Sequence, residues 1–314
     1  MKFDNRLLLI LVAVVGIYAI FLFTSDFGIV LEKISNLKIN YLPLILFLVS
    51  ASWTPLFIKW HFLLKNSEVD IPLTKSIAVW FAGVAFEITP GQIGALIKSQ
   101  ILKTSSNIPR TKTVPIIVIE KVYDLIGAVL ASIIGIVILG MEPYLIIIAI
   151  LVLVTIFFFV YYRPASELFF NRITKLKFFS KYVENISEFY EIVKKSTNVK
   201  AATICILLAL TYWFMVSAAA YYTLIAFDVN ILDYLKVLAI YTTSSLLGAI
   251  SFIPGGIGVT EGSIAGLFTL NGIDVSTAFI LSVMIRVLTL WYTVCIGFIS
   301  LKFTGALSFR KNSF

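Results

Sequence analysis

The chain has little charge and few of the residue types that soluble catalysis uses. Charged side chains make up 13% of its 314 residues, and it has one histidine and two cysteines. Hydrophobic residues make up 60%, and mean hydropathy is +0.99. Soluble domains carry about 25% charged and about 45–50% apolar residues. The composition therefore excludes an ordinary soluble domain and indicates a polytopic membrane protein.

The sequence also lacks the motifs of metal, nucleotide and triad chemistry. It has no Asp-x-Asp pair, no Gly-rich loop ending in Lys-Ser or Lys-Thr, and no metal-ligand cluster. The one histidine, His61, lies near the end of an apolar segment, an unsuitable place for a Ser/His/Asp triad. We therefore expect no enzymatic activity, catalytic residue, metal or cofactor. The basic residues that give the net charge of +8 lie where membrane topology requires them, so the charge predicts no nucleic-acid partner.

Two apolar regions are interrupted by Pro-Gly turns. The later one reads Pro254-Gly255-Gly256-Ile257-Gly258-Val259-Thr260-Glu261, and the earlier one reads Thr89-Pro90-Gly91-Gln92-Ile93-Gly94. Unpaired backbone groups cost several kcal/mol each in hydrocarbon, so broken helix at membrane depth is packed in protein or lines a water-filled cavity. Both stretches are candidate sites.

A cation follows each break at nearly the same distance. Lys121 lies 31 positions after Pro90, and Arg286 lies 32 positions after Pro254. Interrupted segments in corresponding positions of two halves point to the binding site of a transporter. The nearly equal spacing from break to cation in the two halves favours an internal duplication.

The hydropathy pattern predicts an all-α membrane protein with six full crossings and two re-entrant hairpins. The hairpins are residues 73–102 and 234–270, and the crossings are 7–23, 42–64, 114–139, 144–161, 201–227 and 276–301. An alternative is eight spans. We expect one transmembrane domain over 1–314, with repeat cores at 73–139 and 234–301.

The distribution of basic residues favours the hairpin interpretation. It keeps Lys98, Lys103, Arg110 and Lys112 on the cytoplasmic side with most other Lys and Arg, as the positive-inside rule expects. Both termini are then cytoplasmic, in a multi-pass protein of the cell membrane. Three crossings separate the hairpins, so they enter from opposite sides as an inverted repeat. The short helices after the breaks would present their N-termini to an anionic group such as phosphate.

Residues 163–200 form the one substantial hydrophilic segment. Its apolar residues recur at the spacing of one helix face: Phe179, Tyr182, Val183, Ile186, Phe189, Tyr190 and Val193. We interpret it as an amphipathic helix on the cytoplasmic interface beside anionic lipid. The alternative is a docking face for a cytoplasmic lipid-modifying enzyme.

Several ionisable residues fall inside the apolar segments: Lys59, Glu87, Glu120, Lys121, Asp124, Glu261 and Arg286. Each costs about 2.5–3.5 kcal/mol at a helix centre and needs a partner or water. Arg286 is the expected counter-charge of Glu120, Asp124 or Glu261. Glu120 and Asp124 are either structural ion pairs or functional groups, whereas Glu261 lies on the break and is interpreted as functional. Lys59 and His61 lie near a span end, where they can snorkel.

The two Pro-Gly stretches, the run Glu120-Lys121-Val122-Tyr123-Asp124 and the late Arg286 together resemble one membrane family. It is the flippase-like family named for the transmembrane region of lysylphosphatidylglycerol synthases, also found in archaeal dolichyl-phosphate-linked glycosylation proteins. The resemblance implies a protein that moves lipids or lipid-linked intermediates between leaflets. It implies these site residues: Pro90, Gly91, Gly94, Glu120, Asp124, Pro254, Gly255, Gly258, Glu261 and Arg286.

The chain departs from the family pattern at two positions. It has Gly94-Ala95 where the family often has Gly-Glu, which puts proton coupling through the first hairpin in doubt, and Lys121 where Arg is more usual. The soluble aminoacyl-transferase domain of the synthases is absent, so the resemblance does not imply lysyl transfer.

Three functional hypotheses follow. The first is a flippase or scramblase-like transporter of a phospholipid or a polyprenyl-phosphate-linked lipid, with anionic phosphate head groups as its partners. The second is a non-transporting subunit that assists a lipid-modifying enzyme or glycosyltransferase. The third is an intramembrane transferase with Glu120 and Asp124 as acid and base, against which the missing donor-binding motif argues.

Overall fold

The computed structural model describes residues 37–138, 144–162 and 186–303, with 35, 140 and 164 as isolated positions. The predicted crossing at 7–23 and nearly all of 163–185 lie outside these residues. All regular structure in the described ranges is helical. The helices are α1 (Leu42–Asn66), α2 (Leu73–Val84), α3 (Ile97–Ser106), α4 (Arg110–Ile138), α5 (Tyr144–Tyr161), α6 (Ile186–Ser196), α7 (Val199–Ala226), α8 (Tyr234–Ile250), α9 (Val259–Leu270), α10 (Val275–Arg286) and α11 (Tyr292–Phe303).

Four helical segments are long and apolar enough to cross a membrane: Ile39–Asn66, Arg110–Ile138, Val199–Ala226 and Val275–Leu301. The shortest has 27 residues, which span about 40 Å against a hydrocarbon core of about 30 Å. The last is α10 and α11 joined by a π-helical turn at Val287–Trp291. The prediction of an all-α protein with membrane-spanning helices is therefore confirmed for the part of the chain that is described.

Each Pro-Gly stretch lies between two short helices that contact each other. The first hairpin comprises α2, a 3-10 turn at Pro90–Leu96 and α3, and the second comprises α8, a 3-10 turn at Pro254–Gly256 and α9. These helices have between 10 and 17 residues, fewer than the roughly 20 that a crossing requires. None of the four is among the helices that are long and apolar enough to be candidate spans.

The two hairpins belong to different hydrophobic clusters and meet at their turns. The first hairpin packs with α1, α4 and α6 around Trp60, Trp80 and Tyr123. The second packs with α7 and α10 around Leu224, Tyr241 and Phe268.

The turns themselves are in contact. A Cβ added to Gly255 in the second turn would lie 3.1 Å from Cγ1 of Ile88, just before the first turn. The broken backbone of both halves therefore lies together, with Gly256 and Ile257 buried and Phe252 and Ile253 exposed.

Small residues bring the long helices close together. Gly127 of α4 packs on Ala209 of α7, and Gly135 of α4 packs on Ala239 of α8; an added Cβ would come within 2.7 Å of either alanine. Close approach through Gly and Ala is the usual packing of membrane helices. It places α4, which carries Glu120 and Asp124, between the two halves.

The helix α6 packs on the protein itself, which corrects the interpretation of its apolar face. Phe189 and Val193 are buried against α4 and α1. Asn66 of α1 donates to the Lys195 carbonyl (2.8 Å), and the Tyr123 hydroxyl of α4 donates to the Ser196 carbonyl (2.9 Å). Phe189 is therefore available neither to lipid nor to a partner enzyme, because its contacts lie within the chain. Phe179, Tyr182 and Val183 of the predicted face lie outside the described residues.

Candidate functional site

The second turn is held by an arginine and a glutamate that both reach its backbone. The guanidinium of Arg286, at the end of α10, donates to the Gly255 carbonyl and through Nε to Oε1 of Glu261 (3.0 Å). The other oxygen of Glu261 accepts from the Gly258 amide at the start of α9 (2.7 Å). Gly255 and Gly258 have φ values of +60° and +84°, which residues with a Cβ rarely adopt. The motif glycines therefore form the turn, and the ion pair ties it to α10.

The pairing of Arg286 selects one of the three partners that the sequence left open. Arg286 pairs with Glu261, and both side chains are buried. The two other carboxylates on offer, Glu120 and Asp124, pair with lysines instead. The π-helical turn at Val287–Trp291 follows Arg286 directly, and such turns occur frequently at functional sites.

The first turn is held by a hydroxyl group. Thr89 donates through Oγ1 to the Phe86 carbonyl (2.7 Å), and the same oxygen accepts from the Gly94 amide (2.7 Å). Pro90 and Gly91 begin the 3-10 turn at Pro90–Leu96. Ser251 does the same at the second turn, donating to the Gly248 carbonyl (2.7 Å) and accepting from the Ile253 amide (3.2 Å). The role of both hydroxyls was not predicted from the sequence.

We expect Gly94→Ala to destabilise the first turn. A Cβ at Gly94 would lie 2.6 Å from the Phe86 carbonyl oxygen and 2.7 Å from Thr89 Oγ1, so the hydrogen bonds across the turn would have to break. The expected loss is about 1–3 kcal/mol, measured as a lower thermal midpoint in detergent. Gly266→Ala on α9 is the matched control, because nothing lies within 4 Å of its added Cβ. A midpoint for Gly94→Ala equal to that of Gly266→Ala would contradict this account.

A buried ion pair ties the first hairpin to α4. Nζ of Lys98, on α3, contacts Oε2 of Glu120, and both residues are 2% exposed. The Lys98 ammonium lies 4.2 Å from the centre of the Trp60 ring, and its stem packs where Gly83 has no side chain. Lys98 was expected among the cytoplasmic charges, and its burial against Glu120 was not predicted. The missed signal is that Lys98 shares its helix face with the buried Ile101 and Leu102.

A second group of charges lies next to that pair on α4. Lys59 of α1 is fully buried and contacts Oδ1 of Asp124, so the prediction that it snorkels to the interface is wrong. Lys121 contacts Glu87 (2.6 Å) and Asp124 (3.4 Å). The side chains of Glu87, Lys121 and Asp124 are each about a quarter exposed, at 25%, 23% and 23%.

Aromatic side chains connect the charges of the two halves. The indole of Trp213, on α7, donates to the Asp124 carbonyl (3.4 Å), and its ring centre lies 6.3 Å from that of Tyr241 on α8. Tyr241 in turn lies within electrostatic range of Arg286 and Glu261. The ion pairs of both halves therefore belong to one region of the bundle interior.

Two exposed ion pairs flank α1 outside its membrane-spanning segment. Lys38 contacts Asp228 (2.7 Å), and its hydrogen bond lowers the pKa of that carboxyl. Lys195 contacts Glu68 (2.8 Å) and lowers the pKa of Glu68 in the same way. Exposed pairs of this kind contribute little to stability. Substitutions in these exposed pairs therefore serve as controls for substitutions in the buried pairs.

Among the residues that the structure describes, no group of three or more His, Cys, Asp or Glu side chains has a metal-binding arrangement. Each carboxylate described above instead faces a lysine or arginine. The site is a set of ion pairs around two backbone breaks.

Comparison with known proteins identifies the family. The model of the lysylphosphatidylglycerol synthase transmembrane region matches residues 8–297. The chain belongs to this family.

Three archaeal UPF0104 membrane proteins are similar to the chain. The protein of Pyrococcus horikoshii is 23% identical over 76% of the chain and 80% of its own length. The protein of Methanocaldococcus jannaschii is 26% identical over 67% of the chain and 89% of its own length. The protein of Methanothermobacter thermautotrophicus is 29% identical over 32% of the chain and 30% of its own length. The chain is thus an integral membrane protein of the lysylphosphatidylglycerol synthase transmembrane region family.

The motifs that carry the resemblance lie on defined parts of this fold. The first motif forms the turn of the first hairpin and the last forms the turn of the second. Glu120 and Asp124 lie on α4 between the halves, and Arg286 closes the second turn. Of the ten predicted site residues, five lie in the two turns, two lie on α4, two lie at the start of α9 and one ends α10.

Proposed function

We propose that the protein moves a phospholipid or a polyprenyl-phosphate-linked lipid between the leaflets of the cell membrane without chemically changing it. One observation carries the proposal: two interrupted hairpins meet at their turns inside an apolar bundle, and charged side chains surround that meeting point. Broken backbone and charges at membrane depth are retained where they line a polar pathway. A lipid head group is the polar cargo whose acyl chains remain in the bilayer.

The proposed topology has six crossings and two re-entrant hairpins related as an inverted repeat, with both termini cytoplasmic. Four long helical segments and the apolar 18-residue α5 would supply five of these crossings, and residues 7–23 the sixth. The short helices and the contact between the turns support re-entrant hairpins over eight spans. Inverted repeats with a site at their interface are a common transporter design.

The proposed mechanism uses the second turn as an exchange point. A phosphate that binds Arg286 and the Gly258 amide competes with Glu261, because Glu261 contacts both groups. Moving Glu261 off Arg286, by displacement or by protonation, opens the site, and its return releases the head group. Rocking of the two halves about the contact between Ile88 and Gly255 would then change the leaflet to which the site opens.

Leaflet exchange in proteoliposomes tests the proposal. The vesicles contain fluorescent phospholipid or polyprenyl-phosphate probes. A quencher added only outside the vesicles removes the fluorescence of probes in the outer leaflet, so further loss reports movement from the inner leaflet. We expect the wild type to exchange at least one probe class faster than protein-free vesicles. Glu261→Gln and Arg286→Ala should slow exchange by about tenfold or more, because each removes a charge-assisted contact at the turn.

Glu68→Gln is the control for this experiment, since it removes a carboxylate from an exposed pair far from the turns in sequence. Its rate should equal that of the wild type. Absence of exchange for every probe in well-folded protein would contradict the transport function and favour a non-transporting subunit. Unchanged exchange in both turn variants would place the pathway elsewhere.

A further inference from the structure

The charges that form ion pairs inside the described helical bundle balance. Four cations face four carboxylates: Lys59, Lys98, Lys121 and Arg286 against Glu87, Glu120, Asp124 and Glu261. Every one of these cations lies within 4 Å of a carboxylate from the set. A head group with one negative charge that joined this set would add a charge without a partner in a region of low dielectric.

These ion pairs differ in accessibility. The side chains of Lys59, Lys98, Glu120, Glu261 and Arg286 are at most 7% exposed. The other three side chains are exposed by 23–25%. The accessible group is therefore Glu87, Lys121 and Asp124.

Within that group, Glu87 and Lys121 can change partners at the lowest cost. Asp124 also contacts the buried Lys59, so it keeps a counter-charge when Lys121 turns away. Glu87 faces Lys121 at 2.6 Å. Opening this one contact frees the Glu87 carboxylate and the Lys121 ammonium side by side. It leaves no buried carboxylate without a cation, because Asp124 still contacts Lys59.

The pair lies beside the first turn and near the middle of α4. Glu87 lies three residues before Pro90, where α2 has ended and the first turn begins. Lys121 lies about 16 Å along α4 from Arg110, near the middle of that helix. Partly exposed charges at such a depth face water or polar ligands, because lipid tails cannot solvate them.

We propose that the Glu87–Lys121 pair binds a zwitterionic head group that carries both a phosphate and a primary amine. The phosphate accepts from the Lys121 ammonium, and the amine donates to the Glu87 carboxylate. Two ion pairs then replace one, and the net charge of the set stays the same. This inference rests on the proposed lipid transport and names its substrate class as aminophospholipids.

Three probes with the same labelled acyl chains test the charge argument in proteoliposomes. They are phosphatidylethanolamine, its N-acetylated form, in which the amine is neutral, and phosphatidylglycerol. We expect wild-type protein to exchange phosphatidylethanolamine about tenfold faster than either anionic probe, the change expected for one charge-assisted contact. Glu87→Gln should reverse this order, because it removes the negative charge that pairs with the amine and leaves the set of ion pairs with one excess positive charge.

Glu68→Gln, in the exposed pair with Lys195, is the matched control and should keep the wild-type order of rates. Equal wild-type rates for the three probes, or a Glu87→Gln variant that slows all three alike, would overturn the inference.

A binding measurement separates this inference from the transport function. Short-chain phosphatidylethanolamine should raise the thermal midpoint of the wild type in detergent more than short-chain phosphatidylglycerol does. Glu87→Gln should reverse that difference as well. Selective stabilisation without leaflet exchange would support the head-group site and contradict transport. Equal stabilisation by both lipids would contradict the site whatever the exchange rates are.

Discussion

Lys98→Met is expected to lower the free energy of unfolding by about 3–5 kcal/mol, the usual cost of removing one partner of a buried ion pair. Methionine fills the space of the lysine stem beside Gly83, so the loss comes from Glu120, which stays buried without its counter-charge. In a chain of this size we expect a thermal midpoint lower by on the order of 10 °C in detergent. Differential scanning fluorimetry of purified protein measures it.

The double variant Lys98→Met with Glu120→Leu separates charge from packing. Replacing both partners of a buried pair by apolar residues is often neutral, so the double variant should recover most of the lost stability. Lys195→Met, in the exposed pair with Glu68, is the control and should shift the midpoint little. A double variant as unstable as the single one would show that the charge of Glu120 is not the cause.

Arg286→Met is expected to destabilise the second turn by a similar amount, about 3–5 kcal/mol. It leaves the buried Glu261 without a cation and the Gly255 carbonyl without its donor. Arg286→Lys should retain part of the stability, because one ammonium keeps the charge but lacks the fork of a guanidinium that serves both acceptors. The thermal midpoint in detergent checks both values.

Adding Glu261→Gln to Arg286→Met tests whether an unpaired carboxylate causes the loss. Glutamine can still accept from the Gly258 amide and carries no charge, so the double variant should be more stable than Arg286→Met alone. If Arg286→Met were as stable as the wild type, the ion pair would not hold the turn.

The membrane class and the two breaks could be predicted from local features of the sequence. Apolar composition over segments of about 20 residues is sufficient to indicate spans, and Pro-Gly stretches are sufficient to interrupt a helix. The turns occur where the motifs predicted them, at Pro90–Leu96 and Pro254–Gly256. Neither feature depends on which other helix lies beside it.

Partner choice could not be predicted in this way. The spacing after each break made Lys121 the counterpart of Arg286, and Lys121 does contact a carboxylate of the first hairpin, Glu87. A second and more deeply buried pair, Lys98 with Glu120, also joins the first hairpin to α4. In the second half the carboxylate, Glu261, is on the short helix and the cation is on the long one. The first half also has the cation on the long helix in Lys121 with Glu87, but has the opposite arrangement in Lys98 with Glu120. The spacing therefore indicated the cation of one pair in the first half and gave no sign of the other pair.

The sequence by itself determined that the chain is a helical membrane protein with two broken segments and charges in its apolar regions. Composition and local backbone preference are sufficient for that, because they act over a few turns of helix. The tertiary structure decided which charges are buried, which carboxylate each cation contacts, and which group remains accessible. Those outcomes depend on how α1, α3, α4 and α10 pack, since a lysine such as Lys59 or Lys98 is buried only where another helix brings a carboxylate to it.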